Sequence, residues 1–147
     1  LVVDNGQVGI NVANPSFRLE VNGTAGKPGG GSWAASSDRR LKKDVQTLTG
    51  SLNRLMKLRG VNYQWIEPDK QGGLTGTQIG MIAQEVEQIM PEIISVDSEG
   101  YKSLDYSKMV PLIVQAIKEQ QQLIENQNKE IAALKSRLVL VEQKSKK

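Results

Sequence analysis

Apolar and polar residues alternate over the first 23 positions, which is the pattern of short β-strands. The alternation has two parts, separated by the breaker Asn14-Pro15-Ser16 and bounded by the turn signals Asn5-Gly6 and Asn22-Gly23. The apolar residues of the two parts are Val8, Ile10 and Val12, then Phe17, Leu19 and Val21. Two short strands are therefore predicted. So small a unit cannot stand alone, so we interpret residues 1–23 as the C-terminal end of a β-rich fibre.

A helical spacing of three to four residues begins after Asp44. It is carried by Val45, Leu48, Leu52, Leu55 and Leu58. Gly60 is a typical helix end, so one amphipathic helix is predicted before it.

Shorter elements follow this helix. Strands are predicted where residues 61–65 alternate and at residues 79–82, with a loop over 68–76 between them. A short helix over 83–90 is stopped by Pro91, and Asp97-Ser98-Glu99-Gly100 predicts a hairpin turn. This part of the chain is predicted to be a small α+β module.

A seven-residue repeat starts near Asp105 and predicts a coiled coil of four to five heptads. Pro111 implies that the helix either begins close to it or bends there. The isoleucine-rich core positions favour a trimer, and the alternative is a long amphipathic helix packed on its own domain. The predicted trimer core consists of Val110, Ile113, Ile117, Ile124, Ile131, Leu134 and Leu138.

These patterns divide the chain into four predicted segments. They are the fibre end (1–23), a glycine-rich linker that leads to a cleavage site (24–36), an α+β chaperone module (37–105) and a coiled-coil trimerisation helix (106–147). The predicted fold class is α+β, with a long C-terminal helix. The first residue is not methionine, so the numbering is expected to begin inside a longer protein.

Composition narrows the function classes. The hydrophobic share is only 38%, so part of the burial is expected between chains, in a homotrimer. The chain has no cysteine and no histidine. Disulfides are therefore excluded, and zinc would lack the thiolate and imidazole ligands that it usually has in proteins. We expect no metal and no cofactor. With a net charge of only +3 and no long apolar run, neither nucleic-acid binding nor membrane insertion is predicted.

The candidate chemistry lies in the segment that contains Ser37 and Lys42, which are five positions apart. Without histidine or cysteine in the chain, a serine nucleophile needs another base, and lysine is the known substitute. That amine must be partly desolvated to accept a proton. A spacing of five places two residues about 140° apart on a regular helix, so the serine is expected to precede the helix, with the first turn folding back toward it.

Four features of the chain together resemble one known family. They are the motif Ser37-Asp38-x-Arg40-x-Lys42, the stretch Gly76-x-x-x-Gly80-Met81-Ile82-Ala83-Gln84-Glu85-Val86, Tyr106 and the trailing coiled coil. It is the intramolecular chaperone of endosialidase, the peptidase S74 family of phage tailspikes and tail fibres. The resemblance covers about residues 37–140.

The resemblance implies a C-terminal domain that trimerises, guides the folding of an upstream trimeric fibre and then cleaves itself off. Ser37 would be the nucleophile, Lys42 its partner, and Ser36-Ser37 the scissile bond. Asp38 would cap or orient, and for Arg40 we expect a structural salt bridge. The partners implied are the other two chains and the chain's own upstream fibre. The location implied is a virion or cell-surface fibre, the rest of which could bind a host-surface receptor; the chaperone part could be released after assembly.

Several alternatives remain open at this point. Cleavage could proceed by attack of Ser37 on its own preceding carbonyl, an N-to-O acyl shift, or by Ser-Lys hydrolysis across a subunit boundary. Lys43 is the residue most easily mistaken for Lys42. The chain could also be a trimeric structural or adhesion tip that never cleaves. A DNA-associated autocleaving factor is disfavoured because residues 1–36 carry no basic recognition element.

Overall fold

The computed structural model describes residues 1–4, 6–23, 25–26 and 35–145. The chain divides into two units, one formed by Leu1–Gln46 with Arg59–Leu104, the other by Thr47–Leu58 with Asp105–Lys147. Strands, short helices and a long C-terminal helix are all present, which confirms the α+β class. The predicted linker over 24–36 falls largely outside the described residues.

The first unit begins with a three-stranded sheet of β1 (Val2–Asp4), β2 (Gln7–Ile10) and β3 (Leu19–Val21). β1 pairs antiparallel with β2, and β2 pairs parallel with β3. Two strands were expected from the sequence, and β1 is an additional one. The strand predicted to reach Val12 ends at Ile10, because Asn11 adopts a φ of 56°, which lies outside the extended region.

The remainder of this unit follows the predicted order. β4 (Val61–Tyr63) pairs antiparallel with β5 (Gln78–Gly80), and α2 (Ala83–Glu87) comes next. β6 (Ile94–Val96) and β7 (Lys102–Leu104) then form the predicted hairpin. At its turn the Asp97 carboxylate accepts the main-chain N–H groups of Glu99 and Tyr101 at 2.9 and 2.8 Å.

The core of the first unit lies where α2 and the turn that follows it pack against this hairpin. Val86, Met90 and Ile93 are 1 to 2% exposed there. Two ion pairs border the helix: Glu85 binds the Arg59 guanidinium, with 2.5 Å between Oε1 and Nη2, and Glu87 binds the Lys102 ammonium. The turn over Pro91–Ile93 supplies the buried Ile93 and so contributes to the core. The helix predicted over 83–90 ends earlier, at Glu87, so Pro91 is not what stops it.

The second unit is a short helix packed along a long one. α1 (Ser51–Leu55) contacts α3 (Met109–Ser145), and Met109, Leu112 and Ala116 of α3 are buried. The Glu119 carboxylate accepts the N–H groups of Ser51 and Leu52 at 3.1 and 2.8 Å, which satisfies donors that the start of a helix leaves unpaired. α3 begins two residues before Pro111, so the proline lies in the first turn and no bend is needed.

The amphipathic helix predicted between Asp44 and Gly60 is wrong in its first half. α1 starts only at Ser51, and Val45 and Leu48 are 58 and 40% exposed. Asp44 and Gly50 have φ values of 51° and 66°, and this left-handed backbone is incompatible with a continuous α-helix. The helical spacing of apolar residues therefore begins before the helix itself does.

Candidate functional site

The segment around Ser37 is built on a single 3₁₀ turn over Arg39–Leu41. The N–H groups of Leu41 and Lys42 donate to the carbonyls of Asp38 and Arg39, both at 3.1 Å. Asp38 is the N-cap, since its Oδ1 accepts the Arg40 N–H at 2.8 Å. Lys42 follows the turn with extended dihedral angles, φ −120° and ψ 135°. Ser37 and Lys42 thus flank the turn at its two ends.

This arrangement brings the predicted nucleophile and its predicted base into contact. Lys42 Nζ donates a hydrogen bond to Ser37 Oγ at 2.7 Å, within one chain. That distance lies inside the range required of a general base and the hydroxyl it deprotonates. The expected fold-back of the first turn is therefore seen in the geometry, although it occurs in one 3₁₀ turn and not at the start of an α-helix. The catalytic roles of both residues stay predictions.

The two predicted supporting residues bind each other. Arg40 Nε lies 3.1 and 3.2 Å from the two carboxylate oxygens of Asp38, and Arg40 Nη2 lies 2.8 Å from Asp38 Oδ2. The guanidinium hydrogen bond, followed by the bond from the Arg40 main chain, holds the pKa of the Asp38 carboxyl below its usual value. The carboxylate therefore stays ionised and able to cap the turn. It makes no contact with Ser37 or Lys42 among the hydrogen bonds found in the described residues.

Arg39 has a contact that sequence reasoning missed. Its Nη1 donates to the main-chain carbonyl of Lys42 at 2.5 Å. Nothing in the residue pattern indicates a guanidinium that folds back on a carbonyl three positions later, because the contact depends on the 3₁₀ turn.

The predicted scissile bond is accessible in the single chain. Ser36 and Ser37 are both exposed, as is every residue from 35 to 50. Trp33 and Ala34, which belong to the predicted linker before the cut, lie outside the described residues. Lys42 is exposed as well, so the chain's own core does not cover the Ser37–Lys42 pair.

The predicted trimer core forms one line along α3 that the single chain leaves uncovered. It is distinct from the buried line of Met109, Leu112 and Ala116, which faces α1. Its members are 40 to 59% exposed: Val110, Ile113, Ile117, Ile124, Ile131, Leu134 and Leu138. The helix therefore has two apolar lines over its first turns, and α1 covers one of them.

Among the described residues, no group of three or more aspartate, glutamate, histidine or cysteine side chains converges as a metal site requires. In the same residues, no helix is both long and apolar enough to cross a bilayer.

Comparison with known proteins gives matches of two kinds. A family model described as Peptidase_S74, chaperone of endosialidase, matches residues 37–95 and so begins at Ser37. "Long tail fiber protein Gp37" of Enterobacteria phage Ox2 is 29% identical over 113 residues, which cover 72% of this chain and 45% of that protein. The protein of the same name from Salmonella phage S16 is 29% identical over 124 residues, 78% of this chain and 17% of that protein.

A relative from another kind of organism matches over nearly the whole chain. "Myelin gene regulatory factor-like A" of Dictyostelium discoideum is 30% identical over 158 aligned positions, 99% of this chain and 16% of that protein. The chain spans less than half the length of each of these three relatives. Residues 37–95 of this chain therefore match the peptidase S74 family, the chaperone of endosialidase.

Proposed function

We propose that this chain is the C-terminal intramolecular chaperone of a trimeric fibre, and that it cleaves itself between Ser36 and Ser37. The family match and the tail-fibre relatives support a fibre-associated chaperone or structural role. The observation that carries the cleavage proposal is the 2.7 Å hydrogen bond between Lys42 Nζ and Ser37 Oγ. It occurs at the first residue of the family match, where a cut would separate the chaperone from everything upstream.

The proposed chemistry begins when the neutral Lys42 amine removes the proton of Ser37 Oγ. Oγ then attacks the Ser36 carbonyl carbon, and the C–N bond to Ser37 breaks as Lys42 returns the proton to the leaving nitrogen. The product is an ester between the Ser36 carbonyl and Ser37 Oγ. Water hydrolyses that ester, which restores the Ser37 hydroxyl and leaves a carboxylic acid on Ser36; the acid passes its proton to the new Ser37 amine. Atoms and charge balance, and the enzyme acts once.

The position of the base favours this within-chain route over hydrolysis across a subunit boundary. Lys42 reaches the hydroxyl of its own chain, and that hydroxyl is adjacent to the bond to be cut. A route between chains could use the same pair, but it would have to bring the Ser36 carbonyl of another chain to Ser37 Oγ. We therefore propose the roles that the family motif implies for Ser36, Ser37, Asp38, Arg40 and Lys42.

Trimerisation is proposed for the uncovered line of α3. At 1.5 Å per residue the 37-residue helix is roughly 55 Å long, and apolar residues recur along most of it at the heptad spacing. Association would bury these side chains. In the trimer, neighbouring chains would also supply the cover over Ser37 and Lys42 that the single chain lacks, so cleavage would follow assembly.

The chaperone role follows from the cost of bringing three chains together. β pairing between chains is slow because loop-closure and association entropy are lost before contacts form. A coiled coil holds the three upstream ends at high effective concentration and reduces that cost. Cleavage would then make the folded fibre kinetically stable, since the chains could no longer refold with help from the chaperone.

The proposed setting is a virion or cell-surface fibre, with release of the chaperone part after assembly. Partners would be the two other chains and the upstream fibre, and any host receptor would bind elsewhere on that fibre. The Dictyostelium relative carries a regulatory-factor name, which indicates that the same kind of module occurs in other settings. For this chain we propose neither nucleic-acid binding nor membrane insertion, and no cofactor.

Denaturing gel electrophoresis over time tests the proposal against a permanent, non-cleaving trimeric tip. The wild-type chain and Ser37→Ala are synthesised side by side and sampled from the first minutes onward. We expect the wild type to give two fragments and Ser37→Ala to stay full length. A wild-type chain that is trimeric and remains full length after long incubation would establish the non-cleaving tip instead.

A further inference from the structure

Arg39 binds Lys42 through two separate contacts. Its guanidinium Nη1 donates to the Lys42 carbonyl at 2.5 Å, and its own carbonyl accepts the Lys42 N–H at 3.1 Å. The first bond engages the main-chain carbonyl of Lys42, and the second engages its main-chain N–H. The main chain of Lys42 is therefore held on both sides, which fixes the direction in which its side chain leaves the backbone.

The other side-chain clamp of this turn acts at its opposite end. The Asp38 carboxylate accepts hydrogen bonds from the Arg40 guanidinium and from the Arg40 main-chain N–H, both at or before the middle of the turn. They fix where the turn begins, beside Ser37. The Arg39 guanidinium reaches the end of the turn, beside Lys42. The two clamps together set the distance between the residues that flank the turn.

We propose that Arg39 is a positioning residue for the Ser37–Lys42 pair, an inference that rests on the proposed cleavage. It touches no reacting atom and acts through the backbone of Lys42. Without the guanidinium, Lys42 would keep its chemistry but would meet Ser37 Oγ in a smaller fraction of molecules. Misplacement of a reacting group lowers the rate without changing the basicity of that group. Loss of the Arg39 guanidinium should therefore slow cleavage at every pH and leave the midpoint of the pH profile unchanged.

Three variants of the full chain separate positioning from charge. Arg39→Met keeps the length of the side chain and removes the donor. Arg39→Lys keeps a cationic donor. Lys43→Met is the matched control, because it removes one positive charge from the neighbouring exposed position. Cleavage rates are measured for each across a range of pH in cell-free synthesis.

We expect Arg39→Met to slow cleavage about three- to tenfold at every pH, the effect of one lost hydrogen bond, with the midpoint of the pH profile unchanged. Arg39→Lys should stay within about twofold of the wild type because it can still donate. Lys43→Met should leave the rate at its plateau unchanged. A wild-type rate in Arg39→Met would overturn the inference. So would an equal shift of the pH midpoint in Arg39→Met and Lys43→Met, since that would show an effect of charge alone.

If the wild type does not cleave, the proposed cleavage fails, and a second measurement still tests whether Arg39 positions Lys42. Lys42 and Lys43 are acylated in competition with a trace of an amine-reactive anhydride, and the two modifications are counted by mass spectrometry. Loss of positioning in Arg39→Met should raise the ratio of Lys42 to Lys43 labelling about threefold, because the hydrogen-bonded amine becomes free. An unchanged ratio would overturn the inference.

Discussion

Replacing Lys42 by arginine separates its action as a base from its action as a hydrogen-bond donor. In the structure Lys42 Nζ donates to Ser37 Oγ at 2.7 Å. A guanidinium can donate in the same way and keeps the positive charge, but it is protonated at all accessible pH values and cannot accept a proton. The substitution therefore preserves the contact and removes the proposed chemistry.

The expected magnitude follows from the contact distance. A general base in direct contact with the proton it removes contributes about 10²- to 10⁴-fold to the rate. Lys42→Arg and Lys42→Met should therefore both slow cleavage by about that factor. Lys43→Arg, the matched control at the next position, should stay within about twofold because Lys43 makes no hydrogen bond or ion pair found in the described residues.

The assay follows the full-length chain on denaturing gels after cell-free synthesis, with the trimer content of each variant measured in parallel. The wild-type rate should rise with pH as the amine loses its proton, and Lys42→Arg should show no such rise. Near wild-type cleavage by a trimeric Lys42→Arg would refute the general-base reasoning. A larger effect at Lys43 than at Lys42 would show that the wrong lysine has been assigned.

Two further predictions concern the second unit. Leu112→Ala should destabilise the fold by about 2–5 kcal/mol in chemical denaturation, since Leu112 is only 2% exposed. Ile113→Ala, at a site that is 40% exposed, should instead lower the trimer fraction in sedimentation. An unchanged trimer fraction would contradict the predicted trimer core. The main-chain hydrogen bonds from Leu52 and then Ser51 lower the pKa of Glu119 in the folded chain. The ionised carboxylate therefore stabilises the fold above the unfolded pKa of about 4.3, and this stabilisation is lost as the pH falls through the folded pKa. Wild type should therefore exceed Glu119→Gln in melting temperature at neutral pH and lose that advantage in acid; an equal difference at both pH values would contradict this assignment.

The elements predicted best are those whose local signals agree with each other. The hairpin around Asp97 and Gly100 follows from turn chemistry, and the Asp97 carboxylate indeed caps the turn. α3 follows from a repeat that persists over many turns, with Pro111 where a helix tolerates it. Each of these needs no knowledge of distant parts of the chain.

The failures arise where backbone conformation overrides the apolar pattern. Val45 and Leu48 have helical spacing, yet the left-handed Asp44 and Gly50 leave them outside α1. β1 and the parallel pairing of β2 with β3 depend on contacts that strand alternation does not encode. At the site, the spacing of Ser37 and Lys42 suggested the pair, whereas the Arg39 contact depends on a turn that only the structure shows.

The mass of the fragments tests the central claim most directly. The account predicts that the wild-type chain yields two species whose masses place the cut between Ser36 and Ser37, the C-terminal one beginning with an unmodified Ser37 amine. Ser37→Ala and Lys42→Arg should each give a single full-length mass. A cut at any other bond, or the same cut in Ser37→Ala, would contradict the proposed serine–lysine mechanism.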